Sequence, residues 1–255
     1  MGRIFLIFLS LISLSVSAQT EDNITYKEDI PILYRNEAEG GLTIHSCGFG
    51  LNFKKGWHKT GYKKRMFEVE FVSMRHPKQY KLANLYFDNS KPFFYGKLNF
   101  AYMLRSGIGG QNIIFSKGER SGVEVRYVYY VGLSLGITKP VYLDVIVPYD
   151  SIPYIVTRKY DPSDPLMQTP TYIYGPGPYF SGFDQLKLYP GAYGKFGFSF
   201  EYAGWHDKIT AIEVGVVADA HPTAIPIMAE NPTQGILNNR VLLNLYLTLV
   251  WGGKW

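Results

Sequence analysis

The sequence predicts an all-β protein, an up-and-down antiparallel β-barrel of about eight strands, and three observations carry that prediction. Apolar and polar residues alternate with a period of two through eight stretches of the chain. Gly and aromatic residues are abundant, with 26 Gly, 21 Tyr, 16 Phe and 4 Trp in 255 residues. Charged residues make up only 18%, below the roughly 25% of an ordinary soluble domain. Beyond the first 18 residues there is no apolar run of about 18 residues, which excludes a helical membrane span.

Residues 1–18 have the form of a secretory signal peptide: Arg3, an apolar run from Ile4 to Leu14, and Val16-Ser17-Ala18 before the expected cut. Export and a single cysteine, Cys47, exclude a disulfide framework within the chain and any Cys-based zinc site. Residues 19–40 are polar and acidic and read as a periplasmic N-terminal segment; residues 41–255 read as the barrel domain.

The eight alternating stretches are Leu42–Phe53, Arg65–Met74, Phe93–Arg105, Gly122–Ile137, Val141–Val147, Ala192–Tyr202, Lys208–Asp219 and Arg240–Trp251. One face of each is Leu, Val, Ile, Phe and Tyr. The other is Gly, Ser, Asn and single charges: Glu68, Glu70, Glu124, Asp144, Glu201 and Glu213 against Lys97, Arg105, Arg126, Lys195 and Arg240. A soluble sandwich would present long flexible polar residues on its outer face. A near-balanced set of acids and bases suits the inside of a narrow closed barrel, with the apolar face toward lipid and aromatics at the strand ends. These eleven residues are therefore expected to form a structural charge network in the lumen. An eight-stranded barrel is filled by its own side chains, which argues against a diffusion porin.

With the chain starting in the periplasm, the tight links 138–140 and 204–207 are periplasmic, and the long links 106–121, 148–191 and 220–239 face outside. That is the rhythm of outer-membrane barrels. The link 75–92 breaks it, being long on the periplasmic side. The last stretch, Leu245 to Trp255, alternates and ends in an aromatic residue, resembling the signal read by the barrel-assembly machinery.

Tyr34-Arg35-Asn36-Glu37, Gly48-Phe49-Gly50-Leu51-Asn52-Phe53, Arg65 to Phe71, Ser73 to Lys78, Tyr95 to Asn99 and Lys139 to Leu143 together resemble uncharacterised small outer-membrane β-barrel proteins of Bacteroidota. The resemblance implies a cell-envelope location and a fold in a Gram-negative bacterium. It carries over no reaction and no functional residues.

Three groups stand out as candidate contact sites. Lys54, Lys55, Lys59, Lys63, Lys64 and Arg65 crowd the first hairpin, expected outside, where lipopolysaccharide phosphates are the natural partner. Residues 148–190 are rich in Pro and aromatics, with Tyr172, Tyr174, Tyr179 and Phe180 suited to protein or glycan contacts. That segment reads equally as a lid, or as an extra hairpin raising the barrel to ten strands. Ser73 to Lys78 is a basic strand exit facing lipid headgroups or a periplasmic partner. His45 and Cys47 are expected to face outward, but no acid is placed to orient His45 as a catalytic base. The five His show no ligand spacing, so neither metal nor cofactor is expected. Nucleic acid is excluded by export. The expected role is non-enzymatic: an outer-membrane anchor displaying loops, or an accessory subunit of an envelope complex. A lipid A-modifying enzyme and a narrow solute channel are the alternatives.

Overall fold

A computed structural model describes residues 35–60, 62–87, 89–116, 122–148, 153–202 and 208–255. The signal-like segment 1–18 lies outside them. Eight long strands close into one antiparallel barrel: β1 (Asn36–His45), β2 (Gly48–Thr60), β3 (Lys63–Met74), β6 (Asn99–Phe115), β7 (Val123–Pro140), β11 (Lys187–Tyr202), β12 (Lys208–Ala220) and β13 (Val241–Lys254). Each pairs with the barrel strand before and after it, and β13 returns to β1 along a register from Glu37↔Lys254 to His45↔Tyr246. The strands run from 10 to 18 residues, enough to cross a bilayer when tilted. Among the described residues no helix is long and apolar enough to cross a membrane.

The count of eight is as expected, but two strands differ in identity. Leu42–Phe53 is two strands, not one: the chain reverses at Ser46 and Cys47, between β1 and β2. The alternation itself changes phase there, since Leu42 and Ile44 face out at even positions and Phe49, Leu51 and Phe53 at odd ones. Residues 36–40, assigned to the N-terminal segment, already belong to β1. Conversely, Val141–Val147 is not in the barrel. As β8 (Tyr142–Val147) it is the middle strand of a separate sheet with β9 (Tyr154–Lys159) and β10 (Ile173–Pro176). The ten-strand alternative fails for the same reason, because the extra strands join this small sheet and not the wall.

These two changes reverse the direction of the early strands and remove the anomaly of the long 75–92 link. One end of the barrel carries the tight β1–β2 turn and the three long links 75–98, 141–186 and 221–240. The other carries the short links 61–62, 116–122 and 203–207, with the outer ends of β1 and β13. The long links build an ordered cap. Beside the three-stranded sheet lies a separate pair of two-residue strands, β4 (Lys81–Leu82) with β5 (Phe93–Phe94). Phe93, Val141, Leu143, Val145, Tyr160, Met167 and Ile173 form a core of their own. From the 221–240 link, Ile225, Ile227, Met228 and Ile236 descend onto Val72, Met74, Ala101 and Met103 and plug the barrel mouth.

Gly107 on β6 shows how tightly the wall fits its filling. A Cβ there would come within 2.5 Å of the Tyr193 hydroxyl and 2.7 Å of the Val131 carbonyl. Gly107→Val is expected to lower stability by about 1–3 kcal/mol, the usual cost of overpacking, read as a fall in the urea midpoint of the folded protein. Gly194, where a Cβ meets nothing within 4 Å, is the control position.

Candidate functional site

Below the apolar plug, the inward positions of every barrel strand carry charge, and most of these charges pair. Glu70 and Arg105 are direct partners on β3 and β6. Arg105 donates to Glu70 at 2.6 Å and, through Nε and Nη2, to both carboxylate oxygens of Asp219 on β12, at 2.9 and 2.6 Å. Ser134 donates to the same Asp219 at 2.8 Å. Both ends of the guanidinium fork are thus filled, the geometry in which an arginine pair is strongest.

One layer deeper, Lys195 reaches across the lumen to Glu68 at 2.7 Å, with Glu70 at 3.5 Å and Glu213 at 3.6 Å. Lys54 bonds to Glu213 and stands 3.9 Å from Glu68. Tyr246 donates to Glu213 at 2.8 Å. The Tyr130 ring has Lys54 at 5.6 Å and Lys195 at 5.8 Å from its centroid, a cation–π arrangement. Toward the far end, Arg126 pairs with Glu124 and with Glu201, the latter at 2.5 Å; Lys254 reaches Glu201 at 2.6 Å, and Lys64 reaches Glu37 at 2.5 Å. Arg105, Lys54, Lys195, Glu68, Glu70, Glu201, Glu213 and Asp219 are all essentially inaccessible to solvent.

Of the eleven residues expected in this network, Glu68, Glu70, Arg105, Glu124, Arg126, Lys195, Glu201 and Glu213 are there. Three are not. Asp144 lies on β8 in the cap and accepts from Thr157 at 2.6 Å. Lys97 sits under the cap between the rings of Phe94 and Phe100, at 4.7 and 4.4 Å, and donates to Gln79 at 3.1 Å. Arg240 is exposed just before β13. Each belongs to a segment that alternates like a barrel strand, or abuts one, but ends outside the wall. Sequence reasoning missed Glu37, Lys54, Lys64, Asp219 and Lys254 as partners. Strict alternation was the available signal: Lys54 and Lys64 are inward, while Lys55, Lys63 and Arg65 are outward and exposed.

The basic hairpin is therefore not one charged tip. Lys55, Lys59, Lys63 and Arg65 remain exposed, at the end of the barrel that carries the short links. The aromatic quartet also divides. Tyr174 packs edge-on against Phe87 at 5.9 Å on the cap, and Tyr172 is exposed beside it in sequence. Tyr179 and Phe180 join Phe183 on the outer barrel face, around Lys139, with the Tyr179 and Tyr102 hydroxyls 3.2 Å apart.

His45 was expected to face outward; it faces inward and is buried. Its Nδ1 accepts from the Cys47 backbone N–H at 3.3 Å, which leaves Nε2 to donate to the Ser73 carbonyl at 3.0 Å. Both ring nitrogens pin the tight turn and neither reaches a nucleophile. Ser46 donates to Asn244 at 3.1 Å instead. Comparison with known proteins found no family model and no curated protein that matches the chain.

Proposed function

We propose that this protein is an integral outer-membrane β-barrel with a non-enzymatic role, anchoring the ordered cap as an interaction platform, on its own or as an accessory subunit of an envelope complex. The observation that carries this reading is the inversion of the barrel. Outward residues such as Ile44, Val131, Leu133, Leu243 and Leu245 are 62–74% exposed, while the ionic network is sealed inside. Such a surface is far larger than the apolar patches a soluble monomer tolerates, and it matches a lipid-facing band. With the short links periplasmic, the cap and its three long links lie outside, and Lys55, Lys59, Lys63 and Arg65 face the periplasm. Lipid and lipopolysaccharide surround the wall in this reading, and the barrel-assembly machinery inserts it.

The network closes the lumen, and the plug stops its mouth, which disfavours the channel alternative. The pinned His45 disfavours the lipid A-modifying one. Fractionation of cells expressing a tagged protein tests the proposal: the protein is expected in the outer-membrane fraction, to migrate faster on gels before boiling than after, and to give no conductance steps in planar bilayers. Recovery from a periplasmic extract without detergent would sink it.

A further inference from the structure

The end of the barrel that carries the cap is uneven. Three of its four links rise into the cap, but the fourth is only Ser46 and Cys47, so the wall is lowest at the β1–β2 turn. Two clefts meet over this low point, sharing Cys47, Arg75, His76 and Pro77 in their walls. One, of about 320 Å³, runs in beneath the 221–240 link. The other, of about 560 Å³, opens toward Ile44 and Phe49. Ile44, Phe49, Val241 and Leu243 line the clefts and also belong to the exposed outer rows of β1, β2 and β13. The clefts thus run without a break into the apolar belt.

Their chemistry is one-sided. No carboxylate lines either cleft. Arg75 is exposed, lies 5.6 Å over the Phe49 ring, and among the described residues pairs with no acid. The Lys78 ammonium donates to the carbonyls of Gln234 at 3.0 Å and Gly235 at 2.8 Å, leaving one of its three N–H groups over. His76 is spoken for: its Nδ1 accepts from the Lys78 N–H at 3.2 Å, and Nε2 donates to the Leu237 carbonyl at 3.2 Å. Buried Lys97 adds a third cation behind Gln79, its pKa held down to about 8 by burial and by Arg75. A cationic rim with no counter-charge, set directly above an apolar strip, is complementary to a molecule with an anionic head and a hydrocarbon tail.

We propose that this rim cleft binds one anionic, phosphate-bearing lipid of the surrounding leaflet, its phosphate at Arg75 and Lys78 and an acyl chain along Ile44, Phe49 and Leu243. The proposal rests on the membrane reading above and goes beyond it, since a lipid-facing wall alone requires no preference for headgroup.

Native mass spectrometry of the detergent-purified full chain tests it, titrating phosphatidylglycerol, phosphatidylcholine with the same chains, lipid A, and inorganic phosphate. A single phosphatidylglycerol or lipid A adduct is expected, at least about tenfold tighter than phosphatidylcholine, the scale of one charge-assisted contact. Arg75→Ala with Lys78→Ala should erase that preference, and Arg75→Glu alone should do so without touching the two Lys78 bonds. Gel mobility before boiling verifies that each variant is folded. Equal binding of the two phospholipids, or a preference that survives in both variants, would overturn the proposal. Inorganic phosphate binding as tightly as the lipids would overturn its lipid part and leave a free-anion site. A protein that needs no detergent fails at the earlier membrane step, a result separable from all of these.

Discussion

Arg105→Leu is expected to cost the folded barrel about 3–5 kcal/mol, the usual penalty for removing one partner of a buried ionic cluster. The reason is what it leaves behind. Glu70 and Asp219 give up the guanidinium they share, at 2.6 Å each, while both stay 1% or less exposed. Lys195 stands 3.5 Å from Glu70 but already serves Glu68, and only the Ser134 hydroxyl remains on Asp219. Combining Arg105→Leu with Asp219→Asn should recover part of the loss, because one uncompensated carboxylate is gone. Urea unfolding of the protein refolded in lipid vesicles measures both variants, and a double-mutant cycle isolates the coupling. A loss under about 1 kcal/mol for Arg105→Leu would mean that water reaches the network and screens it as at a surface.

Leu247→Arg should cost about 2–4 kcal/mol in vesicles, the penalty for arginine on the lipid face near the bilayer midplane. Leu247 sits midway along β13, paired with Ile44 on β1 and Val214 on β12, with its side chain 41% exposed. The same substitution on a soluble protein would cost within about half a kcal/mol, because an exposed leucine there gains from the change as much as it loses. Leu247→Arg and Tyr202→Arg make a matched pair, the second near the short-link end of β11, where the penalty falls toward about 0–1 kcal/mol. Equal, small effects at both positions would argue against a bilayer around the wall.

Much of the fold was legible because a barrel strand writes its two environments onto alternate residues. β7, β11, β12 and β13 follow that rule with few breaks; the inward charges of β7 and β11 could be read off directly, whereas Asp219 on β12 and Lys254 on β13 were missed. Two places defeated it. At Ser46 and Cys47 the alternation passes through a turn with no Pro or Asn-Gly to mark it, and only the change of phase between Ile44 and Phe49 betrays the reversal. At Val141–Val147 an alternating segment has one buried face, but the face packs on Tyr160, Met167 and Ile173 of the cap. Its six strand residues are too few to cross a bilayer, and that length was the usable signal. Pairing across the lumen was legible only in part. Glu70 and Arg105 follow from neighbouring register, whereas Lys54 with Glu213 and Lys195 with Glu68 depend on strands three places apart around the ring, which no local pattern encodes. The rim cleft was hidden for a similar reason: Arg75 and Leu243 are far apart in sequence and meet only when β13 closes onto β1.

That closure has a kinetic consequence. Lys54 on β2 and Glu213 on β12 lie on opposite sides of the β1–β13 seam, so their bond forms only when the sheet has curled into a full circle. A sheet still open along that seam lacks it, whereas Lys195–Glu68 and Arg105–Asp219 join strands three places apart within the open sheet. The Lys54–Glu213 bond is thus absent from any transition state that precedes the seam. Replacing Lys54 should leave the folding rate nearly unchanged and hasten unfolding, so that bond acts as a latch on the finished barrel rather than as a guide to its making.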